Sequence, residues 1–494
     1  MSIDHGWAIE KCGLGGVLPM WIAGEASPAE AGDTLAAINP TTGEEIARFP
    51  NAGTADVGRA VESARKAFDE GPWWNQWGAQ KRARCLKTLA RLVKEHEKTL
   101  ARIETMDVGM PYGMSLRFSA TALRKNLEYF SGLGDALCGE SIPQSSPTQL
   151  DYTRREPLGV VAAIIPWNTP LLAIGSKIGP ALLAGNTVIL KPSEKATLSA
   201  LKVAELAAEA GFPAGVLQVL TGDGRAGSAL VTHPGVDKVS FTGGGATASL
   251  IQEATADTLK PLTFELGGKS PNVVFADADL DKVSMQSAMG VFGLSGQACA
   301  AGSRILVERC VHDEVVAELA RVAGSLGMGD PLQAYTMLGP LNSKEHADGV
   351  RQMIAEALED GATLYHESSV PDECGAAFVG PHIFTDVTPE MRLWKNEVFG
   401  PVAAVVPFDT EEEALRLAND TEFGLAAGVW TQDLGKAHRM AHGIRAGVVW
   451  VNCYGSLPNN VPFGGFKRSG SGREGGVHAL AEFTQVKNVL IDLG

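Results

Sequence analysis

Two residues stand in segments that suit covalent catalysis. Cys299 lies in FGLSGQACAAGSR (292–304), where small neighbours leave the sulfur accessible and the loop offers backbone N–H groups. Glu265 interrupts the apolar strand end PLTFEL and is followed by two glycines. A buried glutamate in that position has a raised pKa and can act as a general base that activates water. The alternative for Cys299 is a structural cysteine. The alternatives for Glu265 are a surface acid or an acid paired with Lys269, and spacing alone leaves them open.

Three segments are candidates for a nucleotide site. GDGRAG (222–227) has G-x-G-x-x-G spacing, but the following strand ends in FTGGGA without the acid expected about 20 residues on, so we interpret it as a turn beside the adenine. An acid of this kind occurs one βαβ unit earlier in the chain, where Glu194 follows the strand NTVIL. There it can bind both hydroxyls of an adenosine ribose and repel a 2′-phosphate, which favours NAD over NADP. FTGGGATA (241–248) is the better phosphate site, since its small residues expose N–H groups at a helix start.

The elements that must position these residues form an α/β pattern. Residues 55–130 have the apolar spacing of amphipathic helices, in ADVGRAVESARKAFDEG and from Gln80 to Asp107. The runs VVAAIIP, NTVILKP, GVLQVLTG, DKVSFTGG and PLTFEL predict a parallel sheet covered on both faces. SRILVERCV, VAAVVPFD, LAAGVWT and GVVWVNCY predict a second α/β domain. The final FTQVKNVLIDL predicts a strand that adds to another sheet, including one in a neighbouring subunit.

Composition excludes several classes of partner. The 494 residues carry a net charge of -15 with no basic run, which argues against nucleic acids and anionic lipid surfaces. No stretch approaches about 18 apolar residues, and MSIDHGWAIEKCG lacks the pattern of a secretory signal, so we predict a cytoplasmic protein that does not span a membrane. Seven widely spaced cysteines without a C-x-x-C pair indicate neither a disulfide framework nor a metal site. The expected partner is a small molecule.

Nine segments then resemble, in order and roughly in spacing, the motif series of the NAD(P)-dependent aldehyde dehydrogenase superfamily. They are EPLGVVAAIIPWNTP (156–170), NTVILKPSE (186–194), FTGG (241–244), FELGGKSPNVVF (264–275), GQACAAGSR (296–304), EVFGPV (397–402), FGLAAGVWT (423–431), VWVNC (449–453) and PFGGFKRSGSGRE (462–474). The 34-residue interval between Glu265 and Cys299 is also similar to that of the family. The resemblance covers essentially the whole chain and implies a hydrolytic, non-CoA-acylating member.

The resemblance implies a role for each matching residue. Cys299 would attack the aldehyde, Asn168 and the N–H of Cys299 would hold the oxyanion, and Glu265 would activate water to hydrolyse the thioester. Lys191 and Glu194 would bind the adenosine ribose. Glu397 would hold the nicotinamide ribose, with Phe399 near the nicotinamide. The implied NAD-binding set is Ile165, Pro166, Trp167, Lys191, Ser193, Glu194, Gly224, Phe241, Thr242, Gly243, Gly244, Leu266, Gly267, Glu397 and Phe399. Trp167 and Phe241 would line the adenosine side, although core packing explains them equally well.

The family fold implies three parts and an oligomer. A Rossmann-like NAD-binding domain would comprise 1–133 and 154–264, and an α/β catalytic domain would comprise 265–475. A small β oligomerisation arm would comprise 134–153 and 476–494. The chain is expected to form a homo-oligomer, either a dimer or a tetramer.

Departures from the family pattern bear on cofactor and substrate. Gly244 replaces a serine that would bond a phosphate, and Ala248 replaces a glycine, so NAD binding is expected to be kept but weaker or more mobile. The channel positions Ala173, Ser176, Gly293 and Leu457 are small or aliphatic, whereas Phe463 stays aromatic. A wider channel suits a bulky aromatic, terpenoid or long-chain aldehyde. A small semialdehyde or a betaine-aldehyde-type substrate is the alternative.

Three other functions fit the sequence less well. A CoA-acylating relative has no use for a water-activating base, so Glu265 argues against it. A P-loop is suggested by GKS (268–270), but the motif needs glycine where this chain has Thr263. A non-catalytic binding or structural member would not need intact Cys299, Glu265 and Asn168.

Overall fold

The computed structural model describes residues 4–494 and has an α/β fold. Its strands are β1 Met20–Ile22, β2 Glu25–Ser27, β3 Thr34–Ile38, β4 Glu45–Pro50, β5 Ser141–Ile142, β6 Gln149–Pro157, β7 Val160–Ile164, β8 Thr187–Lys191, β9 Leu217–Val219, β10 Lys238–Thr242, β11 Leu262–Glu265, β12 Pro271–Val274, β13 Arg304–Glu308, β14 Thr363–Glu367, β15 His382–Thr385, β16 Val402–Phe408, β17 Ala426–Trp430, β18 Val448–Val451, β19 Gly470–Ser471 and β20 Thr484–Asp492. Residues 1–3, where the first predicted domain begins, lie outside the described residues.

The helices lie mainly between these strands, as the sequence pattern predicts. They are α1 His5–Lys11, α2 Thr54–Asp69, α3 Pro72–Asn75, α4 Ala79–Glu95, α5 Glu97–Val108, α6 Tyr112–Met114, α7 Thr121–Ser131, α8 Pro170–Ala184, α9 Leu198–Glu209, α10 Gly224–Thr232, α11 Gly245–Thr255, α12 Leu280–Phe292, α13 His312–Ser325, α14 Lys344–Glu359, α15 Arg392–Lys395, α16 Glu411–Asn419, α17 Leu434–Gly443 and α18 His478–Glu482. A π-helix, Ser115–Ala120, directly precedes α7. None of the helices described in residues 4–494 has the length and apolar character needed to cross a membrane.

The first sheet has the strand order β19-β11-β10-β7-β8-β9-β1-β2. Its five central strands, β11 to β9 in that order, run parallel, and antiparallel strands flank them. The parallel register places Thr242 beside Glu265 and Ile164 beside Lys191. The carboxyl ends of these strands therefore meet at one edge, which is where ligands bind in open parallel sheets.

The second sheet has the order β14-β15-β16-β13-β12-β17-β18 and is parallel except for β14. The predicted strands of both α/β units are confirmed, because their near-continuous apolar residues are buried on both faces. The chain passes from β11 of the first sheet to β12 of the second through residues 266–270. Cys299 lies between α12 and β13 of the second unit.

The C-terminal strand pairs within its own chain. Thr484–Asp492 is antiparallel to Gln149–Pro157 over nine residue pairs, and β5 completes a three-stranded sheet. The predicted strand is thus confirmed, and the sheet that it joins lies in the same chain. Two other predictions shift by a few residues. The helical segment from Gln80 to Asp107 divides into α4 and α5 at His96, and the helix after GDGRAG already begins at Gly224.

Candidate active site

A cavity of about 1140 Å³ opens at the carboxyl ends of β7, β8, β10 and β11. Cys299, Glu265 and Asn168 all line it, as do the cofactor residues predicted above: Ile165, Pro166, Trp167, Lys191, Ser193, Glu194, Gly224, Phe241, Thr242, Gly243, Gly244, Leu266, Gly267, Glu397 and Phe399. The channel residues Ala173, Ser176, Leu457 and Phe463 also line the cavity, whereas Gly293 does not. The chain kinks after Gly293. As a result Leu294 lines the cavity wall at the place that was predicted for Gly293.

Cys299 follows a strained turn. Leu294 and Ser295 both have left-handed backbones, with φ of 55° and 54°, a conformation that non-glycine residues adopt only when their surroundings impose it. The Ser295 hydroxyl donates to the carbonyl of Gly339 at 2.8 Å and helps to hold the turn. Burial raises the pKa of the Cys299 thiol to about 12, and the negative charges of Glu397 and Glu265 act in the same direction. Both effects favour the protonated thiol over the thiolate.

Asn168 is oriented by the segment that carries the cysteine. Its Nδ2 donates to the carbonyl of Gln297 at 2.8 Å. Gln297 is fixed in turn, because its Oε1 accepts from the backbone N–H of Asn342 at 2.8 Å. A side-chain amide has two N–H donors, so the second one remains available to an oxygen in the cavity.

Glu265 ends β11 as a buried acid. The residue is 4% exposed, and neither carboxyl oxygen has a hydrogen-bond partner within residues 4–494. Gly464 packs against it so closely that a Cβ at position 464 would lie 2.7 Å from Oε1. Burial raises the pKa of Glu265 well above its usual value, and the negative charge of Glu474 raises it further. The buried carboxyl and raised pKa are those that the sequence suggested for a general base.

Glu474 was missed by the sequence analysis. It lines the cavity and accepts hydrogen bonds from Lys177 Nζ and Ser176 Oγ, each at 2.6 Å. Lys177 is fully buried and also donates to Ser240 Oγ at 3.0 Å. This ion pair places one negative and one positive charge close enough to Glu265 to act on its pKa in opposite directions. The isolated acid at the end of SGSGRE was the available signal.

Glu397 reaches from the second unit to the turn after Glu265. Its Oε1 accepts from the backbone N–H of Gly268 at 2.9 Å. Burial raises the pKa of Glu397 to about 7, while this hydrogen bond and the charge of Lys269 oppose the rise. Lys269 is also fully buried, and burial lowers its pKa to about 7. The alternative pairing of Lys269 with Glu265 is not observed, because Lys269 Nζ has no hydrogen-bond partner within residues 4–494.

The predicted phosphate turn has room for a ligand. FTGGGATA runs from β10 into α11, with Gly244 as the N-cap, and a Cβ at position 244 would meet nothing within 4 Å. Thr242 Oγ1 is buried without a partner in the described chain. Lys191 Nζ donates to the adjacent Pro192 carbonyl at 3.0 Å and lies 4.0 Å from Glu194 Oε2. Free N–H groups at a helix start, an unpartnered hydroxyl and a cation fit a dinucleotide in this cleft.

Trp167 packs beside the residue predicted for the nicotinamide. Its ring centroid lies 5.4 Å from that of Phe399 and 5.2 Å from that of His346. Phe399 has a left-handed backbone with φ of 54°, and His346 Nε2 donates to its carbonyl at 2.8 Å. His346 supports the strained Phe399, and nothing in the local sequence around His346 indicated that contact.

Two buried acids on α5 hold the turns that carry the cofactor residues. Glu104 accepts from the N–H of Leu171, at the start of α8, at 3.3 Å, and Asp107 accepts from the N–H of Leu198, at the start of α9, at 2.8 Å. Burial raises the pKa of each carboxyl to about 7. The sequence pattern assigned this segment only a scaffold role. No group of three or more His, Cys, Asp or Glu side chains in residues 4–494 is arranged to hold a metal ion.

Comparisons with known proteins agree on one family. The sequence profile of the aldehyde dehydrogenase family matches residues 27–489. Betaine aldehyde dehydrogenase from Vibrio vulnificus is 43% identical over 477 residues, which cover 96% of this chain and 97% of that protein. Retinal dehydrogenase 2 from Homo sapiens is 41% identical over 483 residues, which cover 96% of this chain and 92% of that protein. The NAD+ complex of aldehyde dehydrogenase from Bacillus cereus superposes with a TM-score of 0.96 at 40% identity, covering both chains completely.

Proposed function

The chain belongs to the aldehyde dehydrogenase family, and we propose that it oxidises a bulky aldehyde to the carboxylic acid with NAD as the hydride acceptor. The observation that carries this proposal is the single cavity shared by Cys299, Glu265 and Asn168. A thiol, an amide donor and a buried carboxyl are the groups needed to form a thioester and hydrolyse it.

Cys299 begins the reaction as the nucleophile. The thiol loses its proton to water in the cavity, the sulfur bonds to the aldehyde carbon, and the C=O π electrons move to oxygen, which gives a tetrahedral thiohemiacetal anion. The second N–H of Asn168 Nδ2 and the backbone N–H of Cys299 donate to the developing oxyanion. Loss of one such donor typically lowers the rate about 100- to 1,000-fold.

NAD would be held along the carboxyl edge of the first sheet. Lys191 and Glu194 would bind the adenosine ribose, the N–H groups at the Gly244 end of α11 would bind the pyrophosphate, and Glu397 would bind the nicotinamide ribose. As the oxyanion re-forms the C=O bond, hydride leaves the thiohemiacetal carbon and a thioester on Cys299 remains. NAD, when bound, would supply the hydride acceptor.

Glu265 completes the reaction as a general base. Because burial raises its pKa, the ionised carboxylate is a stronger base than an ordinary glutamate. It takes a proton from water, and that water attacks the thioester carbon. The C–S bond breaks, the proton held by Glu265 returns to the leaving sulfur, and the carboxylic acid departs with the Cys299 thiol restored.

The channel supports a bulky substrate. Ala173, Ser176 and Leu457 leave space, and Phe463 offers an aromatic wall. The relatives named above include one named for retinal and one named for betaine aldehyde. A small semialdehyde or a betaine-type aldehyde is therefore the alternative to an aromatic, terpenoid or long-chain substrate.

The three-part division at 133/134, 153/154, 264/265 and 475/476 stays a prediction, as does a cytoplasmic location.

We also propose a homo-oligomer, a dimer or a tetramer. The strand β20 supports this proposal because it exposes Val486, Leu490 and Ile491 to solvent in the single chain.

The test follows NADH formation with NAD or NADP and aldehydes of increasing bulk. Wild type should turn over with NAD, Cys299→Ala should not, and Cys138→Ala, at an exposed cysteine, should match wild type. Glu265→Gln should release about one NADH per active site and then stall, since the thioester forms but is not hydrolysed. Full turnover by Cys299→Ala would contradict the mechanism. A higher specificity constant for acetaldehyde than for every larger aldehyde would contradict the substrate class.

A further inference from the structure

One wall of the cavity carries two cations. The wall is formed by the π-helix and the start of α7, from which Arg117, Phe118, Thr121, Ala122, Lys125 and Asn126 face the cavity. Arg117, Thr121 and Lys125 are spaced four residues apart, so they follow one side of the helical segment. Both cationic residues are exposed at the cavity mouth.

The two cations have no acidic partner. Within residues 4–494 neither Arg117 nor Lys125 forms an ion pair, and the protein contact of the Arg117 side chain is a 3.0 Å hydrogen bond from Nε to the carbonyl of Gly113. Glu474, which bonds the channel-wall Ser176, is already paired with Lys177. Two unpaired cations line this entrance in a protein whose net charge is -15.

Two amide side chains along the cavity also lack partners. Asn126 is 7% exposed and lines the cavity, and its side chain makes no hydrogen bond within the described chain. Asn459 also lines the cavity, and its Nδ2 is buried without a partner among residues 4–494. A buried donor without an acceptor, such as Asn459 Nδ2, is rare in folded proteins because it loses its hydrogen bonds to water. An acceptor brought in by the ligand would satisfy them.

Apolar side chains also line the cavity. Phe118, Leu172, Leu457, Val461 and Phe463 offer a hydrocarbon surface between the polar groups. We propose that the substrate is an aldehyde with an apolar body whose far end carries a carboxylate, bound by Arg117 and Lys125 and by the amides of Asn126 and Asn459. This inference rests on the proposed function and names the substrate class of the same site.

The charged and amide groups of this wall favour a carboxylate-bearing aldehyde over cationic and neutral aldehydes. A carboxylate brings two acceptor oxygens and a negative charge, so it can satisfy cations and amide donors together. A cationic aldehyde of the betaine type would meet two like charges at the entrance. A neutral aldehyde would leave the amide donors unsatisfied.

The test compares ω-oxoalkanoates of graded length with their methyl esters, which have the same shape without the charge. We expect wild type to have about tenfold higher kcat/KM for the carboxylate at the best length, a preference that shrinks in high salt. The double variant Arg117→Gln/Lys125→Gln should lose the preference, so that its kcat/KM for the carboxylate falls to its value for the ester. The control Arg84→Gln/Lys87→Gln removes the same charge from exposed residues of α4 that do not line the cavity, and it should behave as wild type.

The outcomes separate the two proposals. Equal kcat/KM for carboxylate and ester, or a preference that the control variant also loses, would overturn the anionic substrate and leave the proposed oxidation intact. Faster oxidation of betaine aldehyde than of every ω-oxoalkanoate would overturn it as well. Absence of turnover on every aldehyde would overturn the proposed function and, with it, this inference.

Discussion

Gly267 lies directly against Glu397, and a Cβ at position 267 would fall 1.9 Å from Glu397 Oε2. The carboxylate thus occupies the space that any other residue would fill. Gly268 also donates its N–H to Glu397 Oε1. The two glycines after Glu265 therefore fix the position of this carboxylate, which comes from the second α/β unit. The Gly-Gly pair serves the proposed ribose site through this contact.

This contact predicts a specific loss in Gly267→Ala. The methyl group must displace the Glu397 carboxylate, so we expect KM for NAD to rise about tenfold or more with a smaller effect on KM for the aldehyde. Glu397→Gln keeps the side-chain shape and an acceptor for the Gly268 N–H, so its KM for NAD should rise less than that of Gly267→Ala. Titration of NAD into each variant by fluorescence gives the comparison, and unchanged NAD affinity in Gly267→Ala would remove Glu397 from the cofactor site.

A second prediction concerns the serine that this chain lacks at Gly244. The position is open, so Gly244→Ser adds a hydroxyl without a clash at a turn proposed to bind phosphate. One added hydrogen bond contributes about 1 kcal/mol, which corresponds to roughly fivefold tighter NAD binding. Gly245→Ser is the matched control, because that position is equally open but lies inside the helix. Equal affinity in wild type and Gly244→Ser would show that the phosphate does not reach this turn.

The parts of the site carried by strand ends were predictable from sequence. Glu265 was identifiable because an acid interrupts an apolar strand, and Glu194 because it follows a buried one. Parallel strands bring such positions together whatever their separation in the chain. The cavity accordingly contains every predicted cofactor residue.

The parts that depend on long-range packing were not predictable. Glu104 lies in an amphipathic helix, where an acid normally faces solvent, yet here it is fully buried against the start of α8. His346 and Phe399 meet only through the fold. Leu294 enters the cavity wall in place of Gly293 because two consecutive left-handed residues turn the chain, and no sequence rule predicts that strain in non-glycine residues.

A third prediction concerns pH. Glu265 acts as a base only when ionised, so activity limited by hydrolysis rises with pH through its pKa. Glu474→Gln removes a negative charge that raises this pKa, so the rising limb of kcat should move to lower pH. Lys177→Met removes a positive charge that lowers it, so the limb should move to higher pH. The profiles are measured under saturating NAD and aldehyde, with circular dichroism to confirm folding, and shifts of the same sign in both variants would contradict this electrostatic account.

The last prediction tests the width of the channel. Ala173 lines the cavity on α8 and is 4% exposed, so Ala173→Phe fills space that a bulky aldehyde would need. We expect kcat/KM to fall about tenfold or more for aromatic and long-chain aldehydes and to change little for acetaldehyde, because only the larger substrates lose contact area. Gly293→Ala is the control, since Gly293 lies outside the wall and a Cβ there would approach Met289 Cε no closer than 3.7 Å. A parallel loss on small and large aldehydes would mean that Ala173→Phe disturbs Asn168 or Cys299 instead, and the channel would then not be the determinant of substrate size.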